Sequence, residues 1–340
     1  MYLYDATSDK YILKPSAHQT QSSESYNRSK TLTGQYSINY EKVFAERHAV
    51  SGMLLWEVMD SYNKWFSAGR SGYLTNAIDQ IFAGSEEFQS ANGSASESGR
   101  ISYVGRFNYG FAEKYLFEAT FRYDGSPNFP SDKRWGFFPS FSAGWRISEE
   151  SFLKSAAPWI DNLKLRLSYS NTGYDAIGAF QYLTGYQFST RYVVDGEVRN
   201  SLTSKGLANS NITWEEMTMY NAGIDFGIFN GLLYGEVDGF YRLRDNILGS
   251  RSVSMPNTFG ATLPLENINS LSNRGFEIML GHKNQIGDWS YDVSGNFSYS
   301  RAKWEHYDEP EYTDPDDIRM NKVSGNWANR FFGYESDGLF

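Results

Sequence analysis

The chain of 340 residues contains no cysteine, which excludes a disulfide framework and thiolate-bound metal. Its four histidines, His18, His48, His282 and His306, are too scattered for a His-rich metal site. No stretch approaches the ~18 consecutive apolar residues of a membrane-crossing helix. Lys and Arg total 31 against 40 Asp and Glu, for a net charge of −9. That is the opposite of the basic stripe of a nucleic-acid binder, so no nucleic-acid partner is expected. The opening "MYLYDATSDK" has neither the basic start nor the apolar core of a signal peptide. Walker, G-x-S-x-G and H-E-x-x-H patterns are missing, so neither enzymatic activity nor a cofactor is expected.

Aromatic residues are abundant: 25 Tyr, 24 Phe and 9 Trp in a chain whose mean hydropathy is only −0.53. They recur at every second position. In 103–123, Tyr103, Phe107, Tyr109, Phe111, Tyr115, Phe117, Phe121 and Tyr123 alternate with Val104, Arg106, Asn108, Leu116, Glu118 and Arg122. Period-2 alternation gives a sheet with one apolar and one wet face. It recurs around 32–40, 50–58, 137–147, 163–169, 214–226, 232–243, 276–280 and 289–299. This makes about ten segments of about ten residues, the length of a tilted membrane strand.

The connectors alternate as well. Short ones ("EKVFAER", "AEK", "FNG", "NQIGD", and a longer "SEESFLKSAAPWIDN" that can hold a helical turn) take turns with long ones near 61–99, 125–135, 171–213, 244–271 and after 302. Alternation alone also fits a soluble sheet with one wetted face. The loop rhythm favours an all-β, antiparallel up-and-down transmembrane barrel, with short turns on one rim and long loops on the other. Tyr109, Phe111, Tyr115, Trp145 and Trp289 would then form one interfacial girdle, and Tyr103, Tyr123, Tyr169, Trp214, Tyr241 and Tyr299 the other. Arg106, Glu118, Arg122, Arg166, Asp292 and Asn296 would face the lumen. A three-residue turn predicts Asn108 opposite Glu118, with an Arg106–Glu118 charge pair on the diagonal.

Other candidates are weaker. The acidic run at 308–317 could offer Asp314, Asp316 and Asp317 to Ca²⁺ but lacks EF-hand spacing, so a solvated loop is the better reading and no metal is expected. Glu149 and Glu150 suit a turn or helix start. Tyr182, Tyr186, Phe188 and Tyr192 are candidate ligand contacts as stacking platforms, although packing within the loop or an extracellular hairpin explains them more simply.

The stretches "YVGRFNYGFAEKYLFEATFRYDGSPNF", "KRWGFFPSFSAGWRISEESFLK", "WIDNLKLRLSYSNTG", "NSNITWEEMTMYNAGIDFGIFNGLLYGEVDGFYRLRDNIL", "NINSLSNRGFEIML" and "GNWANRFFGYESDGLF" resemble, in order, the barrel of the SusC/RagA family of TonB-dependent outer-membrane transporters of the Bacteroidetes. The resemblance covers most of 30–340 and is poor over 1–29 and 61–99. It implies a barrel of about twenty-two strands holding an N-terminal plug, placed in the cell outer membrane in contact with lipid. It also implies a SusD-like surface lipoprotein and the TonB complex as partners, and an oligosaccharide or peptide as cargo.

On this reading 1–29 is a poorly matched N-terminal segment, 30–301 carries the strands and long extracellular loops, and 302–340 is a truncated extracellular loop. Plug, TonB box, signal sequence and final strands are not recognised, so an incomplete arc of about ten strands is expected, one that does not transport by itself. The alternative is a surface or secreted β-module that binds glycan without moving it. Dependence on detergent separates the two, because a broad exposed apolar band drives association in water.

Overall fold

A computed structural model describes residues 2–5, 10–13, 20–75, 77–252, 260–333, 335 and 337–338. Ten strands form one antiparallel ladder: β3 (Gln21–Phe44), β4 (His48–Ser71), β5 (Gln89–Phe111), β6 (Tyr115–Gly125), β7 (Trp135–Arg146), β8 (Ile160–Tyr174), β11 (Glu215–Ile228), β12 (Leu233–Ser250), β13 (Leu265–Ile286) and β14 (Trp289–His306). Each pairs with its neighbour in the ladder, and β3 and β14 are the end strands, so the sheet is not closed. Two small hairpins stand apart: β1 (Tyr2–Asp5) with β2 (Lys10–Leu13), and β9 (Tyr186–Val194) with β10 (Glu197–Ser204). The connectors alternate between short and long except at β7–β8, where 147–159 is longer than the neighbouring 126–134. The helix α1 (Ser151–Ala156) sits in the longest of the short set, and α2 (Pro315–Met320) follows β14.

The chain divides into two compact units, Met1–Gly34 with Met59–Gly99, and Gln35–Val58 with Arg100–Phe340. The first holds the distal parts of β3, β4 and β5. Here the expectation of a long loop over 61–99 is corrected, because strand runs to Ser71 and resumes at Gln89. The ladder likewise begins at Gln21 rather than 30 and continues to His306 rather than 301. These stretches are rich in Ser, Asn and Gly, and their aromatics, such as Tyr26, Trp65 and Phe66, do not recur at every second position, so hydropathy carries no period-2 signal. Cross-strand polar contacts hold them: Ser29 Oγ donates to Asn63 Oδ1 at 2.6 Å, and Thr31 and Ser61 hydroxyls lie 2.8 Å apart.

In the second unit the register carries the expected face through every strand. Tyr109 faces Phe117, Tyr115 faces Trp145, Phe141 faces Tyr169, Tyr169 faces Tyr220, Tyr220 faces Tyr241, and Phe276 faces Tyr299. Three tight turns set that register. Ala45–Glu46, Ala112–Glu113 and Phe229–Asn230 all have positive φ, and Lys114 N–H closes the second turn on Phe111 C=O at 2.9 Å. That left-handed pair matches the twist of a hairpin, which is why so short a connector suffices.

Candidate functional site: the polar face of the ladder

Asn108 lies opposite Glu118, as the three-residue turn predicts. The charge pair does not form: Arg106 faces Thr120 and has no ion pair among the described residues. Asn108 Nδ2 instead donates to Ser51 Oγ at 3.1 Å. The register also puts Arg122, Arg166, Asp292 and Asn296 on this polar face, but they belong to separate networks. Arg122 donates to Asp124 at 3.1 and 3.2 Å and to Ser102 Oγ at 3.2 Å. Asp292 faces Lys283 and accepts from Tyr234 hydroxyl at 2.7 Å, while Asn296 faces Met279.

Arg166 is the centre of a further network, whose partners strand alternation does not reveal. Its Nε donates to Asp225 at 2.7 Å, and both terminal nitrogens form a fork on Asp238 at 3.1 and 2.8 Å. Asp225 and Asp238 belong to β11 and β12, one and two ladder steps from Arg166, and Gly223, directly between Arg166 and Asp238, leaves room for the guanidinium to cross. A bidentate Arg–carboxylate pair is the strongest kind of side-chain hydrogen bond. Near this network the face opens into a cavity of about 510 Å³ whose lining includes Glu41, Glu118, Lys164 and Arg166 together with Ser51, Ser142 and Ser168. Charges of both signs beside small hydroxyls make a surface that can hydrogen-bond an uncharged polar ligand or a zwitterionic one.

At the long-loop ends a small apolar core forms from Phe129, Phe138, Ile212 and Trp214, with Ile177, Tyr182 and Leu248 against it. Trp214 lies 4.9 Å from Phe129 and 5.3 Å from Phe138, ring to ring, and its Nε1 donates to Arg134 C=O at 3.3 Å. The placement of Trp214 in an interfacial girdle is therefore corrected. It precedes β11 and is buried with Phe138, a residue of the polar face. Buried polar groups tie the same loops together: Arg100 pairs with Asp175, Asn128 Nδ2 donates to Asp175 C=O at 2.9 Å, and Glu215 takes Arg244 and the Leu248 N–H.

The four loop aromatics do not form one platform. Tyr182 is held by the rim core. Tyr186 and Phe188 share a face of the separate β9–β10 hairpin with Leu202 and are strongly exposed. Tyr192 faces Arg199, beyond a bulge that breaks the alternation, and so lies on the other face. In the acidic run the carboxylates serve backbone N–H groups: Asp314 caps α2, Asp308 accepts from Ser252, and Glu309 accepts from Val323 and Ser324. Glu150 accepts from Lys114, Tyr115 and Trp145 beside α1, which is the turn-side role expected of it.

A meander of this kind, with one aromatic face, short turns on one rim and long loops on the other, defines an outer-membrane strand ladder. The family of TonB dependent receptor-like β-barrels matches residues 2–339, and the chain belongs to it. It is 38% identical over 240 residues to the TonB-dependent receptor SusC of Bacteroides thetaiotaomicron, covering 69% of this chain and 23% of that protein. It is 29% identical over 330 residues to the TonB-dependent receptor P3 of Formosa agariphila, covering 92% of this chain and 32% of that one. The chain thus spans a quarter to a third of the length of these relatives. The fold of the RagAB peptide importer in its open-open state superposes with a TM-score of 0.76 at 24% identity, over 87% of this chain and 32% of that chain. The resemblance to SusC/RagA barrels stands, and the protein is an outer-membrane protein.

Proposed function

We propose that this chain forms part of the wall of a SusC/RagA-type importer that moves an oligosaccharide or a peptide across the outer membrane, with a SusD-like lipoprotein at its long-loop rim and energy from TonB. The observation that carries the reading is the division of the ladder into two faces. Phe107, Phe141, Leu167, Tyr220, Val293 and Phe297 are exposed on the apolar face, while every expected lumen residue from Arg106 to Asn296 shares the opposite, hydrogen-bonding face. A soluble glycan-binding module would not leave so broad an aromatic face uncovered. The apolar face meets lipid, and the cavity beside Arg166 belongs to the conduit. Tyr186 and Phe188, presented on the hairpin, are available to cargo above it.

The test is uptake of labelled oligosaccharides and peptides by cells in which the gene is interrupted within this segment. Loss of accumulation for one class, and the same loss on collapsing the proton gradient in the parent, is expected. Undiminished, gradient-independent accumulation of both classes would contradict the importer reading.

A further inference from the structure

We infer that Arg274, Arg301 and Trp327 form a binding site for the phosphate-bearing headgroup of an outer-leaflet lipid. The inference rests on the apolar face being the lipid-facing one. Arg274 and Arg301 lie directly opposite each other on β13 and β14. They are on the apolar face, one step beyond the Phe276–Tyr299 pair and beside Tyr241. Like charges directly opposite across strands are destabilising. Among the described residues neither guanidinium pairs with a carboxylate. Glu305, four residues along β14 from Arg301, accepts from Ser272 at 2.6 Å and Lys303 at 3.3 Å and interacts with Arg274 only through space. What the two arginines share is the Trp327 indole, with guanidinium carbons 5.1 and 4.2 Å from the ring centre. A pocket of about 350 Å³ opens there, lined by both arginines, Trp327, Phe276 and Tyr299. It is a cationic, aromatic-walled site in which, among the described residues, neither arginine has a carboxylate in ion-pair contact, although Glu305 feels the charge of Arg274.

Its depth identifies the occupant. On β14, Trp289 marks the short-turn end and Arg301 lies twelve residues on. At ~3.3 Å per residue and a tilt of ~40°, that span is ~30 Å along the membrane normal. The apolar band of such barrels is ~25 Å tall. With Trp289 at the inner interface, the arginines emerge at the outer one, where headgroup phosphates lie. A guanidinium matches phosphate with two parallel hydrogen bonds, and Phe276 and Tyr299 continue the site toward acyl chains.

The test places the protein in phosphatidylcholine nanodiscs doped with monophosphoryl lipid A and reads retained lipid by native mass spectrometry. R274Q/R301Q should bind it about thirtyfold more weakly, and R301Q alone about fivefold, at roughly one surface charge each. R301Q keeps the test decisive if the double variant does not fold. Inorganic phosphate in the buffer should not displace the lipid. Retention within twofold of the parent by either variant, or complete displacement by inorganic phosphate, overturns the site. In the same discs a bimane on Phe297→Cys reports the face: quenching by brominated acyl chains is expected. Quenching with unchanged retention overturns the headgroup site alone, whereas an unquenched label overturns the lipid-face reading and the site with it.

Discussion

The Tyr115 hydroxyl donates to the Glu150 carboxylate at 2.7 Å. Lys114 Nζ at 2.9 Å and Trp145 Nε1 at 3.2 Å complete the set, and the Tyr115 and Trp145 rings stack 6.4 Å apart. One carboxylate at the short-turn rim thus orients two aromatic side chains from adjacent strands. These donors, Tyr115 foremost, hold the Glu150 carboxyl at about 2, below its usual 4.5. A depressed folded-state value stabilises the fold above the unfolded value and loses that contribution on acidification. Urea unfolding in detergent should therefore weaken between pH 4.5 and 2, and Glu150→Gln should flatten the dependence in that window. An unchanged slope in the variant would show that other carboxylates govern it.

Gly173 makes a second prediction at the opposite rim. It lies in β8 where the Phe138 ring crosses the backbone, and a Cβ there would overlap the ring. Phe138 cannot withdraw easily, because Trp214 packs against it. Gly173→Ala should cost ~1–3 kcal/mol by overpacking, and Phe138→Leu should recover part of that loss in the double variant. Additive costs in a denaturation cycle would mean that the two residues are not coupled.

Arg166 makes a third. Removing it leaves Asp225 and Asp238, diagonal to each other on β11 and β12, without the guanidinium that bridges them, so Arg166→Met should cost ~1–3 kcal/mol. Adding Asp225→Asn and Asp238→Asn should restore part of the loss, since neutral amides need no counter-charge. Further destabilisation on adding the two asparagines would contradict the network.

Much of this was legible in the sequence for a simple reason. A strand between lipid and water must alternate, and an Ala-Glu-Lys turn fixes which residues face each other, so Asn108 opposite Glu118 followed from counting. The partners of Arg166 were hidden because they lie 59 and 72 residues away and meet it only once three strands are in register. Trp214 misled because its spacing continued the period of β11 although the strand starts one residue later. The long extensions of β3, β4 and β5 are hidden because their aromatics, such as Tyr26, Trp65 and Phe66, do not recur at every second position.

The central claim is that the aromatic face meets lipid and the polar face meets water. Phe297 and Asn296 are neighbours on β14 that point to opposite sides, so one substitution at each position tests it. Phe297→Arg and Asn296→Arg are unfolded reversibly by denaturant in lipid vesicles and their free energies compared. The expected result is a cost of ~2–4 kcal/mol for Phe297→Arg near the bilayer midplane and much less for Asn296→Arg. Equal costs, or the larger cost at Asn296, would contradict the account.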